Sequence, residues 1–378
     1  MRLEADWLKA PQLRAIFDML EGAGHRVYVV GGAVRNSVMG YTVGDMDIAT
    51  DARPERVIDL AENRNLNAIP TGMDHGTVTV ISGDVAFEIT TFRRDEETYG
   101  RKALVSYTDD IHEDARRRDF TMNALYVGLD GEILDPVDGL EDAIAGRVRF
   151  IEDAVTRIKE DYLRILRFFR FTAVYGSSAI DAEALAAIAQ CLDGLDGLAR
   201  ERIGTEMRKL LAADDPSVAL ASMSAVGVLG QILPGAEASA VPTLVHQEKL
   251  MGLLPDAMRR LAALGGEDAE SALRLSRSEA KRLTRYCDGI VSAQPPDELG
   301  YRLGVHEALG VLALRAAMGF PLPLGWCSNV TKGAKAVFPI SANDLMPMYE
   351  GPALGRRLRQ IEDEWIASGF SKSREALL

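Results

Sequence analysis

Two aspartates one residue apart are the first residues whose types and spacing suggest chemistry: Asp45 and Asp47 in Gly44-Asp45-Met46-Asp47-Ile48-Ala49-Thr50. On a strand, residues two apart share a face. Both carboxylates then point one way while Met46 and Ile48 enter a core. Like charges on one face repel unless a cation joins them, and hard oxygen donors at this spacing suit Mg²⁺. A solvated strand face would carry the same pair. In Val85-Ala86-Phe87-Glu88-Ile89-Thr90 the acid alternates with Val85, Phe87 and Ile89 and leaves the opposite face of its strand. If the two strands are neighbours, three carboxylates converge into a cluster able to hold two metal ions for in-line displacement at phosphorus. By itself, Glu88 reads equally as an exposed residue of an amphipathic strand.

A phosphate site has its own signature. Val29-Val30-Gly31-Gly32-Ala33-Val34-Arg35-Asn36 reads as a strand, a double glycine and a helix start. Glycines let backbone approach phosphate, and the free N–H groups of a helix N-terminus attract anions. Arg35, one turn in, adds a charge-assisted donor. A lone Gly-Gly pair is usually only a turn, but this one stands shortly before the aspartates. Farther on, Asp161 and Arg164 are three apart and would share a face of a helix, opposite the apolar stripe Ile158, Tyr162, Ile165 and Phe169. Cytosine and adenine present an amine beside a ring-nitrogen acceptor; uracil and guanine present the reverse. A carboxylate and a guanidinium together match the first pattern, and an unpaired buried group costs about 1–3 kcal/mol. The plain alternative is an ion pair on a solvated helix face.

The elements that must position these residues fall into two regimes. From about 26 to 135, short β-rich runs alternate with turns. Thr77–Ile81 and Val85–Thr91 flank Ser82-Gly83-Asp84 as a hairpin, and Asp130-Gly131 joins Tyr126–Leu129 to Glu132–Leu134. Helical segments lie near 11–22 and 54–63. Beyond about 150, Ala- and Leu-rich stretches with helical spacing take over (155–173, 181–192, 201–212, 216–226, 269–290, 306–317); the Pro- and Gly-rich stretch 319–355 has no assignment. The fold class is therefore α+β: a head with a small mixed sheet, followed by an all-α remainder. Phe92–Lys102 is polar and aperiodic and reads as a long mobile loop.

Composition narrows the functional classes. The 378 residues are 47% hydrophobic with a net charge of −13, so packed cores are expected and disorder is not. Three scattered cysteines and five histidines support neither a disulfide framework nor a zinc site. No apolar run is long enough for a membrane span, and residues 1–6 lack a secretory signal; a cytoplasmic location is expected. The acidic total counts against nucleic acid, but binding depends on local fields, and arginines cluster at 116–118, at 157–170 and from Arg200 to Lys209.

The ordered set Gly31–Arg35, Gly44–Thr50, Arg117-Arg118-Asp119-Phe120-Thr121-Met122-Asn123-Ala124-Leu125 and Glu160–Phe171 resembles the successive motifs of the class II tRNA nucleotidyltransferases, the family of CCA-adding enzymes and bacterial poly(A) polymerases. Asp135–Gly139 and Glu201–Ile203 resemble weaker motifs. The resemblance spans roughly 26–210 and implies a nucleotidyltransferase head at 1–139, a helical neck with a nucleotide-template helix at 140–210, and a helical, tRNA-binding body and tail at 211–378. It implies Asp45 and Asp47 as ligands of two Mg²⁺ ions with Glu88 as third catalytic carboxylate. Gly31, Gly32, Arg35, Arg118, Asp119, Asn123, Asp161, Arg164, Arg167 and Arg170 are implied as nucleotide-binding. Arg200, Arg202 and Arg208 are candidates for tRNA backbone contact, or equally members of a solvated face. Three departures stand out: Asn36 where the family usually has Asp, Tyr162 where it has Pro, and Ala199 where a small hydroxyl residue is common. The expected activity is addition of C, C and A to tRNA from CTP and ATP with pyrophosphate release. No protein partner is implied. The loop after Glu88 favours full CCA addition over CC addition alone, Gly72–Val80 resembles this branch more than the first alternative, a poly(A) polymerase, and the intact Asp45 and Asp47 count against the second, a non-catalytic RNA-binding protein on the same fold.

Overall fold

The computed structural model describes residues 1–99, 102–177 and 179–378. Two compact units divide the chain, one of Met1–Glu206 with Ser222–Ile232 and one of Met207–Ala221 with Leu233–Leu378.

The first unit is built on a seven-stranded sheet. Its strands are β1 (Val27–Val30), β2 (Asp47–Thr50), β3 (Asn67–Gly72), β4 (Thr77–Ser82), β5 (Val85–Thr91), β8 (Tyr126–Val127) and β9 (Ile133–Leu134), in the order β3-β4-β5-β2-β1-β8-β9; β6 (Arg93–Tyr99) and β7 (Lys102–Tyr107) pair separately. Among the described residues only β2 and β5 run parallel, with Asp47 opposite Glu88; on its other side Asp47 lies opposite Val30 of antiparallel β1. Strand β5 buries Phe87 and Ile89 and leaves Glu88 exposed, as its alternation requires. Helix α1 (Pro11–Glu21) presents Leu13, Ile16, Phe17 and Leu20, all fully buried, the i, i+3, i+4, i+7 stripe of an amphipathic helix. With α3 (Pro54–Asn63) it packs on the sheet. Between them, α2 (Gly32–Met39) follows directly on β1. A core of Val30, Ala49, Phe92, Ala115, Ala124, Tyr126 and Ile151 lies on the sheet beside α4 (Ile111–Arg116).

Three expectations need correction. The segment from Phe92 to Lys102 is not an irregular loop: β6 and β7 form an antiparallel hairpin from Arg93↔Tyr107 to Tyr99↔Lys102, with Gly100 and Arg101 outside the described residues. Backbone pairing of a polar ribbon leaves no hydrophobic alternation to read. The strand of the aspartates begins only at Asp47, so Asp45 belongs to the irregular segment before it. The continuous helix expected over 155–173 is two, α6 (Ala154–Glu160) and α7 (Leu163–Tyr175), because Asp161 adopts extended backbone (φ −151°, ψ 103°). Helices α5 (Leu140–Ala145), α8 (Ala182–Gln190) and α9 (Arg200–Leu211) complete the set that bears on the site.

The second unit is all-helical. Glu248 is buried between Arg259 and Arg260, and a separate core gathers Ile340, Leu345, Ile361, Trp365, Ile366 and Leu377. The unassigned stretch 319–355 contributes the helices Trp326–Lys335 and Ala342–Leu345.

Candidate active site

The glycine turn comes first. Gly31 caps α2 with φ +73°, a conformation that side chains with a Cβ avoid. A Cβ there would meet its nearest atoms at an ordinary 3.6 Å, so conformation and not space demands glycine. One turn on, Arg35 is buried beneath the turn. It donates to Asn36 Oδ1 (2.8 Å), Tyr175 Oη (2.8 Å) and Asn123 Oδ1, and its guanidinium lies 4.1 Å from the Tyr175 ring centre. Burial of the cation pulls its pKa down, against the pull of Tyr175 and Asp119.

The stretch 114–126 supplies the next layer. Buried Asn123 bridges two charges: Oδ1 accepts from Arg35, and Nδ2 donates to Asp119 Oδ1 at 2.8 Å. Asp119 also accepts from Arg167 Nε at 2.7 Å. Burial alone would push the Asp119 carboxyl up, but Arg167, Asn123 and the Phe120 N–H together hold it below the usual range. Arg118 donates to Tyr126 Oη (3.1 Å) and Asp114 Oδ2 (3.0 Å), and Asp114 accepts further from Arg117 (2.9 Å) and Tyr126 Oη (2.7 Å). Burial opposes the Asp114 charge, yet the two arginines and the tyrosine keep its pKa far below normal.

The break between α6 and α7 supplies the opposite wall. Asp161 Oδ1 accepts from the Leu163 N–H (3.1 Å) and Oδ2 from Arg202 of α9 (2.7 Å). Arg164 donates to Glu160 and to the carbonyls of Arg157 (2.8 Å) and Arg117 (2.9 Å). The two are thus gathered by a chain break, not by helical spacing. Tyr162 at the break has φ −60°, the angle that proline fixes, so it supplies the backbone that the expected proline would. Its ring lies against Gly194, where a Cβ would be 1.8 Å from the ring edge.

These parts enclose a cleft of about 450 Å³. Gly31, Gly32, Arg35, Asp47, Arg118, Asp119, Asn123, Asp161, Arg164 and Arg167 all line it, and so does Arg202, expected instead on an RNA-binding face. An adjoining hollow of about 280 Å³ holds Glu88 together with Asp47, Arg117 and Arg118. A larger hollow of about 580 Å³, beside α6 and α8, contains none of the expected residues. Arg170 turns aside to pair with Glu206 (2.7 Å), Arg200 is solvent-exposed, and Arg208 donates to the Leu273 carbonyl (3.2 Å). Arg117, Asp114, Tyr126 and Tyr175 carry no functional signature in the amino-acid sequence. The triple arginine 116–118 was the one available signal.

Asp47 keeps an accessible edge, but its carboxyl is pushed above the usual range by partial burial and by Glu88, with a smaller push from Asp45 and an opposing pull from Arg118. Among the described residues, no three His, Cys, Asp or Glu side chains are close enough to form a metal cage by themselves. The donor set is therefore two aspartates with Glu88 beside one of them, which fits a hard cation that takes one or two carboxylates and completes its shell with water and substrate phosphates.

Comparison with known proteins identifies the family and the fold. Residues 27–149 match the family described as "Poly A polymerase head domain", and residues 179–239 match "Probable RNA and SrmB- binding site of polymerase A". The human mitochondrial CCA tRNA nucleotidyltransferase 1 is 30% identical over 402 residues, covering 97% of this chain and 88% of the relative. The chain belongs to the CCA tRNA nucleotidyltransferase family. A CCA-adding enzyme of Lactococcus lactis is 29% identical over 397 residues, covering 100% of this chain and 98% of the relative. Among solved structures, the Bacillus stearothermophilus CCA-adding enzyme in complex with CTP aligns with a TM-score of 0.74 at 27% identity, covering 95% of this chain and 94% of that one. The α+β architecture of a mixed sheet followed by helices is that of the family. Among the described residues, no helix is long and apolar enough to cross a membrane.

Proposed function

We propose that the chain adds C, C and A in turn to the 3′ end of tRNA from CTP and ATP, releasing pyrophosphate. The observation that carries this reading is one cleft in which the glycine turn, the carboxylate of Asp47 and the Asp161/Arg164 pair face a common space. The incoming triphosphate lies at Gly31-Gly32 and Arg35, where backbone N–H groups and a cation favour it. Its base meets Asp161 and Arg164, which accept from the amine and donate to the ring nitrogen of cytosine or adenine. Arg118, Asp119, Asn123 and Arg167 form the floor that fixes the nucleotide between these ends. Asp45 and Asp47 are the residues that would hold Mg²⁺, with Glu88 assisting. When bound there, the ions polarise the triphosphate and lower the pKa of the RNA 3′-hydroxyl. The helical unit of Met207–Ala221 and Leu233–Leu378 grips the tRNA, and the protein works in the cytoplasm.

The decisive experiment incubates a tRNA lacking its terminal CCA with CTP, ATP and Mg²⁺ and sizes the product. Three added nucleotides support the reading. A long tail from ATP alone would establish the second reading, a poly(A) polymerase, which the family descriptions over 27–149 and 179–239 keep in view. No extension and no pyrophosphate would reject both.

A further inference from the structure

Six arginines line the cleft, and five of them have a carboxylate partner. Arg117 and Arg118 pair with Asp114, Arg164 with Glu160, Arg167 with Asp119 and Arg202 with Asp161. Arg35 differs. Among the described residues its guanidinium forms no ion pair; its bonds go to the amide oxygens of Asn36 and Asn123 and to the Tyr175 hydroxyl, and its face to the Tyr175 and Phe171 rings. Every one of these partners is neutral. Asp119 attracts the guanidinium from beyond Asn123 but is itself paired with Arg167; a buried cation with no direct ion pair is costly, so the site favours an anion beside the glycine turn.

Asn36 decides this. Its Oδ1 takes two N–H groups of Arg35, at 3.2 and 2.8 Å, while its Nδ2 donates to the Thr42 carbonyl at 2.8 Å. Only this orientation of the amide satisfies both neighbours, since a guanidinium can only donate and a carbonyl can only accept. A carboxylate at 36 would orient Arg35 just as well. It would also neutralise the charge, and it would set an oxygen against the Thr42 carbonyl. The amide thus holds Arg35 without spending its charge, and ties down the segment 40–46 that carries Asp45.

We infer that Asn36 is a positioning residue that reserves the Arg35 charge for the triphosphate of the incoming nucleotide. This rests on the proposed function only in placing the triphosphate at Gly31-Gly32. The recognition is of phosphate and not of base, so it acts on CTP and ATP alike.

The test compares Asn36→Asp with Asn36→Ala in the full-length protein, with thermal melting to verify folding. Calorimetric binding of inorganic tripolyphosphate, which carries no base, is measured beside the KM for CTP and ATP. The inference requires Asn36→Asp to weaken tripolyphosphate binding and raise both KM values by about tenfold, with base choice and kcat little moved. Asn36→Ala loses the Thr42 tie and the two bonds to Arg35 without adding charge, so its effect on KM must be at least threefold smaller. An equal or larger effect of Asn36→Ala would show a purely structural tie and overturn the inference, as would an Asn36→Asp protein that binds tripolyphosphate like wild type. If the wild-type protein extends no RNA, the functional reading fails while the binding comparison still decides the role of Asn36.

Discussion

Asp114 is the acid beneath the cleft, and the consequence of removing its charge can be worked out in some detail. Its side chain is 1% exposed, against 16% for Arg117 and 18% for Arg118. Oδ1 accepts from Arg117 Nε (2.9 Å) and the Arg93 N–H (3.4 Å); Oδ2 accepts from Arg118 Nη2 (3.0 Å) and Tyr126 Oη (2.7 Å). In Asp114→Asn the shape is kept, but one oxygen becomes an NH₂ group. Tyr126 can turn its hydroxyl to accept, whereas Arg117 and Arg118 have nothing to accept with. Two guanidinium groups then lie largely buried without their acid. Removing one partner of a buried pair costs about 3–5 kcal/mol, which is at least about a hundredfold in the local unfolding constant. Native-state hydrogen exchange over residues 111–127 reads that quantity directly. The pH dependence gives a second check. The folded pKa of Asp114 is depressed, so its contribution is fully present above the unfolded value of about 3.9 and is lost as pH falls through the folded value below it. The gap between wild type and Asp114→Asn must therefore be wide at pH 7, start to shrink only below about pH 4, and close as pH falls through the depressed folded value. A change under about 1 kcal/mol at pH 7, or a gap that stays constant into acid, refutes the reasoning.

Three further predictions follow from other contacts. Asp47→Asn abolishes nucleotide incorporation while leaving the melting temperature within a few degrees of wild type, because this first residue of β2 retains an accessible edge; persistence of pyrophosphate release at more than one-hundredth of the wild-type rate contradicts its assigned role. Arg202→Ala removes the 2.7 Å bond that holds Asp161 Oδ2, and is expected to raise misincorporation of UTP roughly tenfold, the equivalent of about 1.4 kcal/mol, in single-nucleotide assays; unchanged selectivity removes Arg202 from the site. Glu248→Gln leaves Arg259 and Arg260 buried without their shared acid and costs about 3–5 kcal/mol, seen in urea unfolding followed by the fluorescence of Trp326 and Trp365; a loss below about 1 kcal/mol contradicts it.

What could be read in the amino-acid sequence follows a physical rule. Elements whose side chains divide between core and water are legible. The β4–β5 hairpin around Gly83 and the buried face of α1 declare themselves by period, and Asp130-Gly131 joins β8 to β9 where the turn chemistry demands. The β6–β7 hairpin has no such division and looked like a loop. The break at Asp161 is equally silent, because the apolar residues continue at helical spacing on both sides of it. In the site, residue types were legible but partners were not. Arg35 meets Asn123 across 88 residues, Arg167 meets Asp119 across 48 and Arg202 meets Asp161 across 41. Local periodicity carries no information at such separations. Arg202 therefore looked like a surface arginine, and the neutral surroundings of Arg35 could not be seen in the substitution at 36 alone.

In the proposed reading, in which Asp161 and Arg164 select the base, these distant partners matter to the chemistry. A free Asp161 and a free Arg164 could each rotate to suit any base, and a rotating pair discriminates poorly. Neither is free. Asp161 is held at both oxygens, by the Leu163 N–H and by Arg202. Arg164 spends Nη1 on Glu160 and the Arg157 carbonyl and one N–H of Nη2 on the Arg117 carbonyl. A carboxylate has about four lone-pair sites, so Asp161 keeps acceptor capacity for an amine. Arg164 keeps its Nε–H and second Nη2–H edge for a ring nitrogen. Groups fixed in this way cannot reorient to pair with uracil or guanine, and the buried mismatch then costs its full 1–3 kcal/mol per group. Under the proposed template role, selectivity for two bases over the other two would come less from the pair itself than from Arg202, Glu160 and the main-chain carbonyls that immobilise it.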